Sequence, residues 1–162
     1  METDDGKLYV RVIDYKTGNT SFDLVSLYHG LQLQLMIYMD GALTVEQNKH
    51  KDKDVIPAGV FYYNIKDPMI QEKIDADIET VQEKVLKELK MNGLVLKDKE
   101  LVQKMDSSLV SIPVSFNKDG SFRKNSSVAS KEQFDILNRY VKTKILHIRQ
   151  SIMTGDARFP LI

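Results

Sequence analysis

The sequence predicts an α/β fold, and three observations carry that prediction. Strand-like and helix-like segments alternate along the chain, the order expected when helices pack on a sheet. Residues 55–65, VIPAGVFYYNI, are continuously apolar and β-rich, which fits a central strand covered on both faces. Residues 131–154 space Phe134, Leu137, Val141, Ile145, Ile148 and Ile152 by three or four, the apolar stripe of a long helix.

Residues 7–15 alternate as a strand, with Leu8, Val10 and Val12 on one parity and Tyr9, Arg11 and Ile13 on the other. KTGNTSFD is a turn-rich loop, and Asp23 is placed to cap a short helix over residues 23–29. Beyond Gly30, LQLQLMIYMDGAL is apolar on nearly every side, which predicts a buried helix rather than an amphipathic one. EQNKHKDKD, 46–54, reads as a solvated loop leading into the 55–65 strand, which KDPM ends. Residues 69–92 are charged with Ile74, Ile78, Val81, Val85 and Leu89 at helical spacing, and Gly93 is a fitting C-cap. LVLKDKELVQKMDSS is mixed. LVSIPVSF, 109–116, reads as a short strand that Pro113 confines to an edge or an irregular loop. NKDGSFRKNSS is a turn, after which Ser130 caps the last helix. There is no internal repeat and no low-complexity tract.

A chain of 162 residues suits one domain, burying roughly 70% of its unfolded surface. Apolar residues are 42% and charged residues 28%, ordinary for a globular protein. Net charge is zero, so contact with a nucleic acid would need a local patch. There is no cysteine, which excludes disulfides, thiolate metal sites and thiol nucleophiles. No signal peptide, membrane span or Gly-rich phosphate loop is present, so the expectation is a cytoplasmic protein that does not itself bind ATP. The chain opens into its first strand after only METDDG, like the second half of a hairpin.

At the end of that strand, VIDYKTG places Asp14 and Lys16 two apart, so both project from one face with Cα atoms roughly 6.5–7 Å apart. A carboxylate there can hold Mg²⁺, a hard cation that takes oxygen ligands and keeps several waters. The backbone carbonyl of Ile13 or Tyr15 can add another oxygen. A neighbouring lysine can orient or deprotonate water and neutralise phosphate charge. The layout suits phosphodiester hydrolysis; the plainer alternative is a solvent-exposed ion pair. Gln34 and Tyr38, four apart, share a helical face. In so apolar a helix Gln34 needs a partner, because an unpaired buried amide costs about 1–3 kcal/mol. That partner is either a neighbouring backbone group or the Asp14/Lys16 site.

His29 is a candidate for a phosphate or metal contact, although a structural role is the commoner one. His50 and His147 have no metal-ligand company. Tyr62 and Tyr63 read as strand packing. Lys131, Arg139, Lys142 and Arg149 fall on one face of the last helix, either tracking a DNA backbone or simply solvated.

Taken together, VRVIDYKTG, FDLVSLYHGLQLQLMIYMDGAL, PAGVFYYNIKDPM and MNGLVLKD resemble one family over most of the chain. It is the RecB-like branch of the PD-(D/E)xK nucleases, and within it the C-terminal nuclease domain of AddB-type subunits of bacterial helicase-nucleases. The resemblance implies a restriction-endonuclease-like core, a mixed sheet flanked by helices. It implies that Asp14 is a metal-binding aspartate, that Lys16 is the lysine of the Asp-x-Lys motif, and that Gln34 and Tyr38 form the Gln-x-x-x-Tyr motif. It further implies Mg²⁺- or Mn²⁺-dependent cleavage of single-stranded DNA ends in double-strand break repair and recombination, beside a helicase-nuclease A subunit.

The family also carries an acid on a preceding strand and four cysteines around a 4Fe–4S cluster, and neither is assignable here. Asp4 and Asp5 fall where a hairpin turn is expected and do not inherit that role. The expectation is a partial nuclease domain over 1–162, lacking the first core strand and the cysteine tail. As such it is inactive in isolation, or is a non-catalytic DNA-binding or scaffold module that docks a partner helicase subunit.

Overall fold

The structure, a computed structural model, describes residues 1–2, 6–65 and 78–155. In chain order the elements are β1 (Lys7–Lys16), α1 (Leu24–Tyr28), α2 (Gln34–Lys49), β2 (Asp54–Asn64), α3 (Ile78–Glu88), β3 (Asn92–Leu96), α4 (Lys99–Met105), β4 (Val128–Ala129) and α5 (Lys131–Met153). The sheet runs β1-β2-β3-β4. β1 and β2 are parallel, β2 and β3 antiparallel, and β3 and β4 parallel. This is the mixed sheet flanked by helices that the resemblance implied.

The unbroken apolar run of β2 follows from burial on both faces. Ile56, Ala58, Val60 and Tyr62 enter a core with Leu35, Met36 and Met39 of α2 and Phe134 and Val141 of α5. On the opposite face Phe61 packs with Val95, Val102 of α4, Ile112 and Val114. Truncating a ring buried as fully as Phe61 or Phe134 costs about 3–5 kcal/mol. Pro57, which has no N–H to donate, sits where the β1–β2 register shifts: Val10 faces Pro57, Arg11 faces Gly59, and Ala58 is skipped. That shift brings Tyr9 into the first core although Val10 and Val12 also pack against it, so the strict parity expected for this strand breaks at the bulge.

Several boundaries differ from expectation. α2 runs on through Lys49, because Glu, Gln and Lys are good helix formers and polarity alone does not end a helix. It is not buried on every side, since Leu35, Met36 and Met39 face the core while Gln34, Ile37 and Tyr38 are exposed. Gly93 caps no helix. It lies in β3, where a Cβ would fall 1.9 Å from the Val60 carbonyl oxygen, so only glycine permits the close approach of β2 and β3. The expected 69–92 helix is seen as α3, and Ile74 lies outside the described residues, as do Asp4 and Asp5. The mixed segment divides into β3 and α4, the latter capped by the Asp98 side chain on Leu101 N–H.

Residues 109–116 add no strand to the sheet, and Ile112 and Val114 plug the second core from an irregular path. Ser130 caps α5 as expected, in a capping box with Gln133. Of the α5 stripe, Phe134 and Val141 are buried, but Ile152 is 69% exposed. At the other end of the chain, Tyr9 N–H donates to Met1 O at 2.8 Å, on the outer edge of β1.

Candidate active site

The β1–β2 register sets the site. Asp14 stands beside Tyr62 and Lys16 beside Asn64, and Tyr62 in turn stands beside Asn92 of β3. With period-two alternation, Val12, Asp14 and Lys16 share the face on which α2 lies. The strand brings its apolar residues to the core and, at its C-terminal end, its charges to the first turn of α2.

There the predicted residues meet. Lys16 Nζ is 2.9 Å from Asp14 Oδ2 and donates to Gln34 Oε1 at 3.0 Å. Gln34 Nε2 donates to Tyr38 Oη at 2.8 Å. The Lys16 ammonium also lies 5.5 Å from the centroid of the Tyr62 ring. A continuous polar chain thus runs Asp14, Lys16, Gln34, Tyr38. Gln34 is exposed rather than buried, so its partner satisfies a first-turn side chain and not a core amide.

The Asp14 side chain is 15% exposed and that of Lys16 29%. Asp14 Oδ2 is buried and has no partner besides the Lys16 ammonium among the described residues. The hydrogen bond to Asp14 raises the Lys16 pKa above 10.5, against the opposing effect of desolvation. Lys16 is therefore a cation at neutral pH, suited to donating hydrogen bonds and balancing negative charge rather than accepting a proton. Burial pushes the Tyr62 phenol up, with Lys16 pulling the other way, so Tyr62 is a neutral ring beneath the cation.

Side-chain amides that sequence reasoning missed hold the connection from Lys16 to α1. Asn64 accepts from Thr20 N–H at 3.1 Å and donates to Thr20 O at 3.0 Å. Asn92 accepts from Phe22 N–H. Gln32 accepts from Asp23 N–H at 3.0 Å and donates to Ser21 O at 2.9 Å. Asp23 then caps α1, accepting from Val25 N–H, Ser26 N–H and the Ser26 hydroxyl. Ile65 N–H donates to Lys16 O at 2.7 Å. The one available signal was parity: Tyr62 and Asn64 sit two apart at the end of a strand otherwise apolar.

The other candidates disperse. The His29 ring stands edge-on to Tyr28, with Nδ1 buried and without a hydrogen-bond partner among the described residues. His50 Nε2 is 3.6 Å from Glu46 Oε2, and His147 is exposed on α5. Tyr63 packs edge-on against Tyr15. Lys131 pairs with Asp54 at 3.1 Å and Lys142 with Asp40 at 2.8 Å, tying α5 to β2 and α2, while Arg139 and Arg149 are exposed. For a divalent metal the fit is partial. Asp14 supplies one hard oxygen, but among the described residues no three His, Cys, Asp or Glu side chains gather into a group that would hold an ion.

The PD-(D/E)XK nuclease superfamily model matches residues 1–158. The chain is 42% identical over 167 residues to the B-type subunit of the ATP-dependent helicase/deoxyribonuclease of Lachnoclostridium phytofermentans, a match covering 95% of this chain and 14% of that protein. Subunits of the same name from Thermoanaerobacter sp. and Clostridioides difficile are each 41% identical, over 91% and 93% of this chain. The chain thus spans only 13–14% of the length of these curated relatives. A mixed sheet that delivers an Asp-x-Lys pair to a helix, matched nearly end to end, leaves one assignment: this chain belongs to the PD-(D/E)XK nuclease superfamily.

Proposed function

We propose that the chain supplies the Asp14/Lys16 side of a centre for metal-dependent DNA phosphodiester hydrolysis, in a B-type helicase-nuclease subunit acting on single-stranded ends during double-strand break repair and recombination. The observation that carries this reading is the Lys16 ammonium held between the Asp14 carboxylate and the Gln34 amide. A Mg²⁺ or Mn²⁺ ion, with Asp14 and the Ile13 carbonyl among its ligands, would supply Lewis-acid charge at the phosphate. Lys16, fixed by Gln34 and cushioned by Tyr62, neutralises phosphate charge from a preset position. Gln34 and Tyr38 hold Lys16 on the substrate side of the sheet. A helicase-nuclease A subunit is the partner the relatives' names favour, and with no cysteine these 162 residues contribute no ligand to a 4Fe–4S cluster.

The single described carboxylate favours a second reading for this chain taken alone: a non-catalytic DNA-binding or scaffold module that docks a helicase subunit. A nuclease assay with Mg²⁺ or Mn²⁺, on this chain and on the whole subunit, separates the two. The expected result is cleavage by the subunit, abolished by Asp14→Ala, and little or none by the 162-residue chain. An intact subunit that cleaves nothing supports the scaffold. Robust cleavage by the short chain, lost in Asp14→Ala, shows that one described carboxylate suffices.

A further inference from the structure

We propose that the face formed by α1, the α1–α2 link and the C-terminal half of α5 is a platform for bases of single-stranded DNA, with Tyr28 as its stacking ring and Lys144 contacting phosphate. It rests on the nuclease reading.

The Tyr28 ring lies 5.6 Å from the Tyr140 ring, within 10° of parallel. Tyr140 Oη donates to Tyr28 O at 2.5 Å, and the His29 ring stands edge-on to Tyr28 at 5.2 Å. Tyr28 is thereby fixed in plane, yet it is 60% exposed, and Leu31 next to it is 78% exposed. A ring held rigid while its outer face stays open is built to receive another flat ring. Base–aromatic stacking is worth about 1–3 kcal/mol per base and tolerates any sequence.

The charge around that ring is mostly positive, with Asp23 at the start of α1 the acidic exception. From Leu24 to Met39 there is no Asp or Glu. From Ile136 to Met153 there is again none, while Arg139, Lys142, Lys144, His147 and Arg149 fall there. Lys142 is engaged by Asp40. Lys144 is one turn beyond Tyr140 on the same helical face, and its side chain runs along Gly30, where a Cβ would sit 3.2 Å from Lys144 Cε. A cation therefore stands beside the aromatic step. An acidic peptide would match the charge but not the ring, and a duplex keeps its bases stacked inside. A single strand offers both phosphates and free base faces. Gln34, which holds Lys16, follows Tyr28 by six residues, so the platform lies within about 22 Å of the site along the chain.

The test is fluorescence anisotropy of labelled oligo-dT with the 162-residue chain, at low salt and without divalent metal. Binding is expected, with Tyr28→Leu weakening it roughly 5- to 150-fold and Tyr28→Phe retaining it. Lys144→Gln should reduce the salt slope by about one. A duplex and an abasic strand of equal length should bind more weakly. In case Tyr28→Leu does not fold, a bromodeoxyuridine strand photocrosslinked to the unsubstituted chain should map to the peptide containing Tyr28. Absence of binding, equal binding by a folded Tyr28→Leu or by the abasic strand, or crosslinks that avoid α1 would each overturn the platform. Tyr28-dependent binding by a subunit that never cuts would sink the nuclease reading alone, whereas cleavage without such binding would sink the platform alone.

Discussion

Asn64 stands beside Lys16 across the β1–β2 ladder and reaches back to clasp both backbone groups of Thr20. One residue of the neighbouring strand thus governs where the chain goes after the lysine. Asn92, one strand further over, does the same for Phe22. The lysine is preset because the loop that follows it is tied to the sheet rather than left to find its own path.

Asn64→Ala removes both bonds to Thr20. With net values of about 0.5–1.5 kcal/mol each, the loss should be about 1–3 kcal/mol in urea unfolding. The resonances of the Gln34 side-chain amide should shift as well, because α2 enters from the far end of the clasped loop. A variant with unchanged stability would show that the loop is held by other groups.

Gly93→Ala should be far more damaging than its size suggests. The new Cβ would meet the backbone of Val60, with the carbonyl oxygen 1.9 Å away. Backbone cannot step aside as a side-chain tip can, so β2 and β3 must part. A loss of more than about 3 kcal/mol, or failure to fold, is expected in thermal unfolding. A loss under about 1 kcal/mol would mean that the strands are not this close.

Much of the site was legible because its logic is local. Residues two apart on a strand share a face and residues four apart on a helix share a face, so Asp14 with Lys16 and Gln34 with Tyr38 could be paired from spacing alone. That the two pairs meet depends on α2 crossing β1, which spacing does not encode. The clasps were invisible for the same reason: Asn64 lies 44 residues from Thr20, and Asn92 lies 70 from Phe22. Gly93 misled because a glycine after a helical run has a local explanation, the C-cap, while its actual reason is a neighbouring strand. The apolar stripe of α5 was placed correctly, but spacing cannot say which part of a stripe finds a partner.

Asp23 gives the loop a pH dependence. Hydrogen bonds from the Ser26 hydroxyl, the Ser26 N–H and the Val25 N–H lower its pKa below the usual 3.8. A carboxyl depressed in the folded state stabilises fully above its unfolded pKa, and that contribution disappears as pH falls through the folded value. The urea midpoint of the wild type should therefore exceed that of Asp23→Ala near neutrality, and the gap should narrow over the acid range below about pH 3.8. A gap that stays constant across that range would show that the cap acts without its charge.

Gln34 separates positioning from folding. It is exposed at the first turn of α2, so Gln34→Leu should change stability by no more than about 0.5 kcal/mol. Lys16 keeps Asp14 and stays charged, but it loses the acceptor that fixes its second direction, and Tyr38 loses its donor. If the lysine works by being preset, freeing it should lower kcat of the intact subunit at least tenfold, about 1.4 kcal/mol of barrier, with little change in KM. Gln34→Glu keeps an acceptor for Lys16 and should recover more activity than Gln34→Leu does. A large stability loss in Gln34→Leu would make the residue a structural one. Unchanged kcat would show that Asp14 alone places the ammonium.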